Sequence, residues 1–264
     1  MISLGQFLTY FFTALIPSIM GAISGIGGGI IIKPLLDTFF ALKPQEINFL
    51  SGTTVLTMSF FTLLQNRIKK KKLNDRRSII LAAGALLGGI AGKAIFTAVI
   101  KSGTGNLVIV VQSGILAFLC AMVFIYMIFK NRISPLNIRN VVICFALGFL
   151  MGMISAFLGI GGGPINIMII SYFLGLDSKT TGHNSIYIVF LSQLASLVSS
   201  VITGSIPDIP AAITITMLSG GVMGGLAGSG ISNNMNNKQV DAFFRIILVC
   251  VMLFSVFSIV KFSI

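Results

Sequence analysis

Charged residues are scarce in this sequence. Lysine, arginine, aspartate and glutamate make up 9% of its 264 residues, whereas 55% are hydrophobic and the mean hydropathy is +1.02. Charged residues typically form about 25 to 35% of the surface of a small soluble domain, and this chain cannot supply them. The composition therefore excludes a water-soluble globular protein and indicates a membrane protein surrounded mainly by lipid.

Acidic residues are the rarest charged class. There are six, and all fall in predicted loops or near the ends of predicted membrane segments: Asp37, Glu46, Asp75, Asp177, Asp208 and Asp241. Cation pumps and metal channels place carboxylates within the membrane. The pattern therefore argues against a cation as the substrate and favours an anionic or neutral one. It leaves His183, the single histidine, as the evident carrier for coupling to protons.

Cysteine pairs and catalytic motifs are also missing. Cys120, Cys144 and Cys250 each lie inside an apolar run without CxxC spacing, so neither a disulfide framework nor a zinc site is predicted. The sequence contains no HExxH, GxSxG or GxxxxGK[ST] motif, which argues against a metalloprotease, a serine hydrolase and a nucleotide-driven pump. We expect no enzymatic activity, no metal and no cofactor.

Basic residues are present but concentrated. The chain has 18 lysines and arginines and a net charge of +12, and seven of the 18 lie between Arg67 and Arg77, flanked by apolar segments. This is typical of a cytoplasmic membrane loop and not of a nucleic-acid interface. We expect the loops at 67–77 and 130–139 to be cytoplasmic in a multi-pass protein of the cell (inner) membrane. A count of eight spans then places both termini inside, on the same side as these basic loops.

Long apolar runs define the fold class. A membrane helix needs about 20 apolar residues, and no alternating ten-residue pattern of a membrane barrel occurs. The sequence therefore predicts an all-α polytopic bundle of about eight transmembrane helices. The predicted segments are 4–35, 46–66, 78–100, 105–129, 138–174, 180–203, 209–231 and 242–262.

The chain also contains an internal repeat. The five residues Gly25–Gly29 (GIGGG) recur as Gly159–Gly163, and two further blocks recur in the same order. These are Ser51-Gly52-Thr53 with Thr181-Gly182-His183, and Gly84–Gly92 with Gly220–Gly228. We predict two homologous halves of four segments each, 1–132 and 133–264. Such halves are typical of secondary transporters, and their parallel or inverted arrangement stays open.

The GIGGG runs lie in the middle of the first and fifth segments. Each glycine in a helix costs about 1 kcal/mol relative to alanine, so we predict that both segments are broken there, with close helix packing as the alternative. A new helix beginning at the break would direct free amide groups towards an anion, and Pro164 suits its first turn. For the GxxxG blocks at 84–92 and 220–228 we favour helix packing over a role in lining the path.

These motifs resemble the TauE/SafE sulfite exporter family over essentially the whole chain. The resemblance rests on the duplicated GIGGG, on Gly52-Thr53 and on the later glycine blocks. The second half departs from the family pattern at the Gly-Thr block, where it has Gly182-His183-Asn184-Ser185. It implies a secondary-active permease or exporter for sulfite, sulfoacetate or another organosulfur or carboxylate anion. The alternative is a partner-dependent permease subunit or an intramembrane assembly protein without transport of its own.

The candidate substrate-binding residues are the glycine runs and the polar residues near them. Lys33 could counter an anion or extend to the membrane surface, and His183 could handle protons or cap a helix. For Lys93 we favour extension to the surface. The candidates are Ser24, Gly27, Gly28, Gly29, Lys33, Thr53, Gly161, Gly162, Gly163, Asn166, His183 and Asn184. The expected partners are the lipid bilayer, a small anionic substrate and protons, without nucleic acid, and the oligomeric state stays open.

Overall fold

The computed structural model describes residues 4–68, 76–101 and 105–263, and in this part of the chain it contains ten α-helices and no strand. Eight of the helices are long and apolar enough to cross a membrane, which confirms the all-α polytopic class. The helices are α1 (Leu4–Ser24), α2 (Gly29–Phe39), α3 (Pro44–Ile68), α4 (Arg76–Lys101), α5 (Gly105–Phe129), α6 (Val141–Leu158), α7 (Gly163–Leu174), α8 (Ser178–Ile202), α9 (Ala211–Asn234) and α10 (Asn237–Ser263).

The short helix α2 folds back along α1. Near the end of α2, the ring of Phe40 lies 4.5 Å from that of Tyr10, which is in the second turn of α1. At the start of α2, a Cβ atom on Gly28 would lie 2.9 Å from the carbonyl oxygen of Pro17. The two helices therefore form a hairpin, and α2 returns towards the end of the bundle from which α1 came.

The helices α6 and α7 form a second hairpin. The amide of Leu136 donates to the carbonyl of Tyr172 at 2.9 Å, and the amide of Ile138 donates to the carbonyl of Phe173 at 2.8 Å. The end of α7 therefore lies beside the start of α6. This return explains how the predicted fifth segment, 37 residues long, fits into a bilayer that a straight helix of about 20 residues already spans.

One end of the bundle, called the basic end below, carries Arg77 and Lys130. The guanidinium group of Arg77 donates to the carbonyls of Ile138 and Leu174, and Lys130 forms an ion pair of 3.4 Å with Asp241. Most of the predicted 67–77 loop lies outside the described residues, but both helix ends that flank it belong to this end of the bundle.

The first turns of α1 and the last turn of α10 lie at the other end, called the opposite end below. There the Lys261 ammonium donates to the carbonyl of Thr38 at 2.6 Å, two residues before Phe40, which contacts Tyr10. The expectation that both termini lie beside the basic loops is therefore wrong. The count of spans treated segments one and five as single crossings, whereas α2 and α7 reverse the direction of the chain.

Glycines hold two long helix pairs in close contact, α4 with α6 and α9 with α1. A Cβ on Gly88 would overlap the carbonyl of Phe149, and one on Gly224 would lie 2.8 Å from the carbonyl of Leu15. The glycines one turn before and after them make the same kind of approach: Gly84, Gly92, Gly220 and Gly228. The packing interpretation of both GxxxG blocks is confirmed.

Candidate functional site

The two GIGGG runs lie against each other. The chain is not helical between Ser24 and Gly29 or between Leu158 and Gly163. The amide of Gly163 donates to the carbonyl of Ile26 at 3.1 Å. We call the contact between residues 25–29 and 159–163 the glycine junction.

Glycine is required at the junction by backbone conformation and by lack of space. Gly25, Gly27 and Gly161 have φ values of +78°, +88° and +74°, and Gly162 has a φ of +121°. These values disfavour any residue with a Cβ atom. A Cβ on Gly162 would also overlap the side chain of Val189. The positive φ values and the lack of space for a Cβ atom thus explain why glycines occupy both runs.

The junction lies at mid-length between two antiparallel helices, α3 and α8. A Cβ on Gly27 would lie 3.5 Å from both Val55 and Val189, and each valine is the twelfth of 25 residues in its helix. Asn66, near the end of α3, lies 3.2 Å from His183, near the start of α8, which shows that the two helices run in opposite directions. The site is therefore deep within the bundle.

The positive ends of two helices converge on the junction. α2 begins at Gly29 and runs to the opposite end, whereas α7 begins at Gly163 and runs to the basic end. The first amide groups of any helix lack partners within that helix, and the helix dipole adds positive potential at the same place. Pro164 lies in the first turn of α7, as the sequence predicts. This arrangement is suited to an anion.

Asn166 is a predicted polar residue whose side chain lies against the junction. It lies in the first turn of α7 and is 1% exposed, and its Oδ1 atom has no hydrogen-bond partner among the described residues. A Cβ on Gly162 would lie 2.5 Å from its Nδ2 atom. A buried amide oxygen without a partner is costly, and the Nδ2 group lies beside Gly162, so we infer that this side chain is available to a ligand at the junction.

Sequence reasoning missed two serines at the site. Ser51 and Ser185 each lie one turn before the valine of their helix that contacts the junction, and both are fully buried. Neither hydroxyl has a hydrogen-bond partner among the described residues. Aligning α3 with α8 by their first residues, Pro44 and Ser178, pairs these serines. The block match of Gly52 with Gly182 is displaced from this alignment by about one helical turn.

Two buried asparagines flank the junction, and one of them was predicted. The Nδ2 atom of Asn184 donates to the carbonyl of Thr180 at 2.9 Å, and its Oδ1 atom lacks a partner among the described residues. Asn48, which was not predicted, approaches Gly159 so closely that a Cβ there would lie 2.6 Å from the Asn48 amide carbon. Asn48 Nδ2 also lacks a partner in the described part of the chain.

Thr53 and Ser24 are bonded within their own helices. Thr53 is half-buried and donates to the carbonyl of Phe49 at 2.7 Å. At about 100° per residue, it lies roughly 200° around the helix from Ser51, and therefore on the other side from the junction. Ser24 donates to the carbonyl of Met20 at 2.8 Å. The structure does not bring either hydroxyl into the junction.

His183 lies between the junction and the basic end. Asn66 Nδ2 lies 3.2 Å from the Nδ1 atom of His183, and Ser229 donates to Asn66 Oδ1 at 3.2 Å. His183 and Gly25 both line a cavity of about 20 Å³, which is enough for a single water molecule. His183 is therefore close to one side of the junction but not part of it.

Lys33 and Asp37 lie on the other side of the junction, within α2. Lys33 is 3% exposed and donates to Gln112 Oε1 at 2.6 Å, so its extension to the membrane surface is wrong. Asp37 is 2% exposed, and its Oδ1 atom lacks a partner among the described residues. Asp37 lies near the end of its helix, as the sequence predicts, but it is buried between other helices because α2 turns back. No cluster of metal-ligating side chains occurs among residues 4–68, 76–101 and 105–263.

Comparisons with known proteins agree on a membrane transporter family. The sequence profile of the sulfite exporter TauE/SafE family matches residues 10–256. The probable membrane transporter protein YunE of Bacillus subtilis (strain 168) is 24% identical over 266 residues, which cover 90% of this chain and 92% of YunE. No solved structure matches the chain with statistical significance.

Proposed function

Because this chain belongs to the sulfite exporter TauE/SafE family of membrane transporters, we propose that it is a secondary-active transporter of a small anion. Sulfite, sulfoacetate and other organosulfur or carboxylate compounds are the proposed substrates. The observation that carries this proposal is the glycine junction, where the positive ends of α2 and α7 meet at mid-length of the bundle.

Substrate recognition at the junction would combine helix ends with uncharged polar groups. The amides at the starts of α2 and α7 attract negative charge. The hydroxyls of Ser51 and Ser185 have no protein partner among the described residues, and the Nδ2 group of Asn166, which lies beside Gly162, can donate to an anion. No carboxylate lies among the described residues that form the junction. An anion therefore meets donors there without repulsion from an acid.

We also propose that residues 1–132 and 133–264 form an inverted repeat around the junction. Two equivalent contacts support this arrangement. Gly25 approaches Gly182 of α8, and Gly159 approaches Asn48 of α3, the residue at the same place in the antiparallel helix. Inverted halves that meet at a central site allow the site to open alternately to each side of the membrane.

The basic end is proposed to face the cytoplasm of a cell (inner) membrane. Lysines and arginines concentrate in cytoplasmic loops, and the helix ends flanking the 67–77 and 130–139 loops share this end of the bundle. Asp37 is then on the external side of the junction. We propose this carboxylate for coupling to protons, because a buried acid near Lys33 and Lys261 can change its charge during a transport cycle.

The proposal is tested by flux into proteoliposomes under an imposed pH gradient. The assay would compare sulfite, thiosulfate, sulfoacetate and small carboxylates, using the intact chain and the Asn166→Ala variant. Loss of one hydrogen bond to a charged group is worth about 1.5 to 3 kcal/mol, so we expect KM to rise by about tenfold to a hundredfold. Ser200→Ala is the matched control, because Ser200 is buried but bonded to Ser196 in its own helix.

Two results would contradict the proposal. The first is an absence of flux for every anion by a protein that elutes as a folded species. The second is an unchanged KM in Asn166→Ala when the intact chain transports one of the anions, because this would show that Asn166 does not bind the anion.

A further inference from the structure

A second cavity lies at the opposite end of the bundle, away from the junction. Its volume is about 390 Å³, within the range of small-molecule sites. It is formed by the second half of α4, the start of α3 and the loop that follows α8. We call it the outer cavity, and the lining residues that matter here are Gln45, Lys93, Phe96, Thr97, Lys101 and Ser205.

Lys93 is the unusual residue of the outer cavity. It is 6% exposed, and its Nζ atom lies 5.2 Å from the centre of the Phe96 ring. A lysine that merely extends to the membrane surface keeps its ammonium group in water, whereas Lys93 is nearly buried beside the cavity. The preference for surface extension at this residue is therefore not supported by the structure.

No carboxylate neutralises Lys93 within the described part of the chain. Phe96 is its aromatic contact, and the charge that acts on it is the ammonium group of Lys33, which has the same sign. A buried ammonium group without an acid partner is costly. Two ammonium groups near each other raise this cost, and an anion in the adjacent cavity would reduce it.

The rest of the lining consists of groups that can contact an anion. Lys101 adds a second ammonium group, and Gln45, Thr97 and Ser205 add an amide and two hydroxyls. Neither aspartate nor glutamate occurs among the described residues that line the cavity. A site with two cations, several donors and no acid focuses positive potential on a concave surface.

The outer cavity is also connected electrostatically to the glycine junction. Lys33 acts on Lys93 and lies on α2 one turn after Gly29, where that helix begins. The ammonium groups of Lys33 and Lys93 therefore both add positive potential on the side of the junction that faces the opposite end.

We propose that the outer cavity is a second anion-binding site, in which Lys93 and Lys101 hold a small oxyanion, sulfonate or carboxylate before release or after capture at this side of the membrane. The assignment of this anion as the transported one rests on the proposed function. The binding of an anion in this cavity does not rest on the proposed function, because binding requires neither an ion gradient nor a transport cycle.

The potential in the cavity can be measured with charged thiol reagents. An accessible cysteine is introduced as Thr97→Cys in a chain with Cys250→Ala, and Cys120 and Cys144 are retained because they are fully buried. Rates of modification are measured in detergent for the anionic sulfonatoethyl and the cationic trimethylammonioethyl methanethiosulfonates, each divided by its rate with a small thiol in solution. We expect the anionic reagent to be favoured by about tenfold or more.

Lysine variants identify the source of this preference. Lys93→Gln should reduce the ratio several-fold, as a full charge beside the reacting thiol is removed. Lys130→Gln is the matched control, because it removes the same charge at the basic end, and it should leave the ratio unchanged. Equal rates for both reagents, or an unchanged ratio in Lys93→Gln, would overturn the proposal.

Sulfoacetate is the probe for occupancy, because sulfite would consume the reagents. We expect sulfoacetate to slow labelling of Thr97→Cys, with a half-maximal concentration that rises about tenfold in Lys93→Gln. If sulfoacetate does not protect Thr97→Cys when Lys93 and Lys101 are both present, the proposal that this cavity binds an anion is overturned. The flux assay is separate: protection without flux retains the binding site and rejects the transport proposal, whereas flux without protection rejects this site alone.

Discussion

Replacing Gly162 with alanine tests whether the glycine junction depends on both backbone conformation and space. Gly162 has a φ of +121°, and its Cβ would overlap Val189 and lie 2.5 Å from Asn166 Nδ2. The strained conformation costs about 1 to 3 kcal/mol, and forcing an extra carbon into a packed site costs about 1 to 3 kcal/mol more. We therefore expect Gly162→Ala to lose about 2 to 6 kcal/mol of stability.

Gly204→Ala is the matched control for this prediction. Gly204 also has a positive φ, +62°, but nothing lies within 4 Å of the position of its Cβ, and it is outside the junction. It should show a conformational cost of about 1 to 2 kcal/mol and no packing cost. The difference between the two variants thus isolates the tight contact at the junction.

The assays are thermal unfolding in detergent and anion flux in proteoliposomes. Gly162→Ala should unfold at a clearly lower temperature than Gly204→Ala. It should also transport at least about tenfold more slowly than the intact chain, because displacement of the start of α7 by a fraction of an ångström misplaces groups that bind the anion. Equal unfolding temperatures for the two variants, or flux in Gly162→Ala at the level of the intact chain, would refute the reasoning.

Three further predictions follow from the packing, the charges and the arrangement of the ends. Gly224→Leu should prevent stable assembly of α9 against α1, whereas Gly114→Leu should be tolerated because nothing lies within 4 Å of its Cβ position; monodispersity in size-exclusion chromatography distinguishes them. Asp37→Asn should abolish accumulation of the anion driven by a pH gradient while anion exchange continues, and gradient-driven accumulation at the wild-type level would remove Asp37 from proton coupling. Ser205→Cys should react with an impermeant thiol reagent in intact cells and Ser134→Cys only in inverted vesicles, so the reverse pattern would invert the proposed orientation.

The membrane class, the number of long helices and the family could be predicted from the sequence. Each depends on local properties: the length of apolar runs, the near absence of charge within them and the order of glycine motifs. The packing role of the Gly84–Gly92 and Gly220–Gly228 blocks could also be predicted, because glycines four residues apart form one face of a helix whatever the rest of the fold.

The polar side chains of the site were predicted less well, for reasons of helical register. Asn166 was identified because it lies in the turn after a glycine run. Thr53 was chosen instead of Ser51 because it belongs to the Gly-Thr motif. The motif does not show which of these residues faces the site, since that depends on the position of each residue within the helical turn. Only the packing of α3 against the junction decides which face of the helix is the functional one.

The charges inside the bundle needed the tertiary structure most. Asp37 and Lys33 are close to the end of a predicted segment, so they look like residues at the membrane surface. They are buried because α2 returns along α1 and places them between other helices. From its position in the sequence, Lys93 is likewise expected near an exposed helix end. In the structure it is buried, because the start of α3 and the loop after α8 lie beside it.

The sequence by itself determined that this chain is a helical membrane protein with two glycine-interrupted segments, because hydrophobicity and glycine content act locally along the chain. Only the tertiary structure decided that the interruptions meet, that α2 and α7 turn back, and that both described chain ends lie away from the basic end. These features depend on contacts between residues far apart in the sequence, such as Ile26 with Gly163 and Tyr10 with Phe40. A local pattern reveals where a helix stops, whereas packing against distant helices decides the direction in which the chain continues.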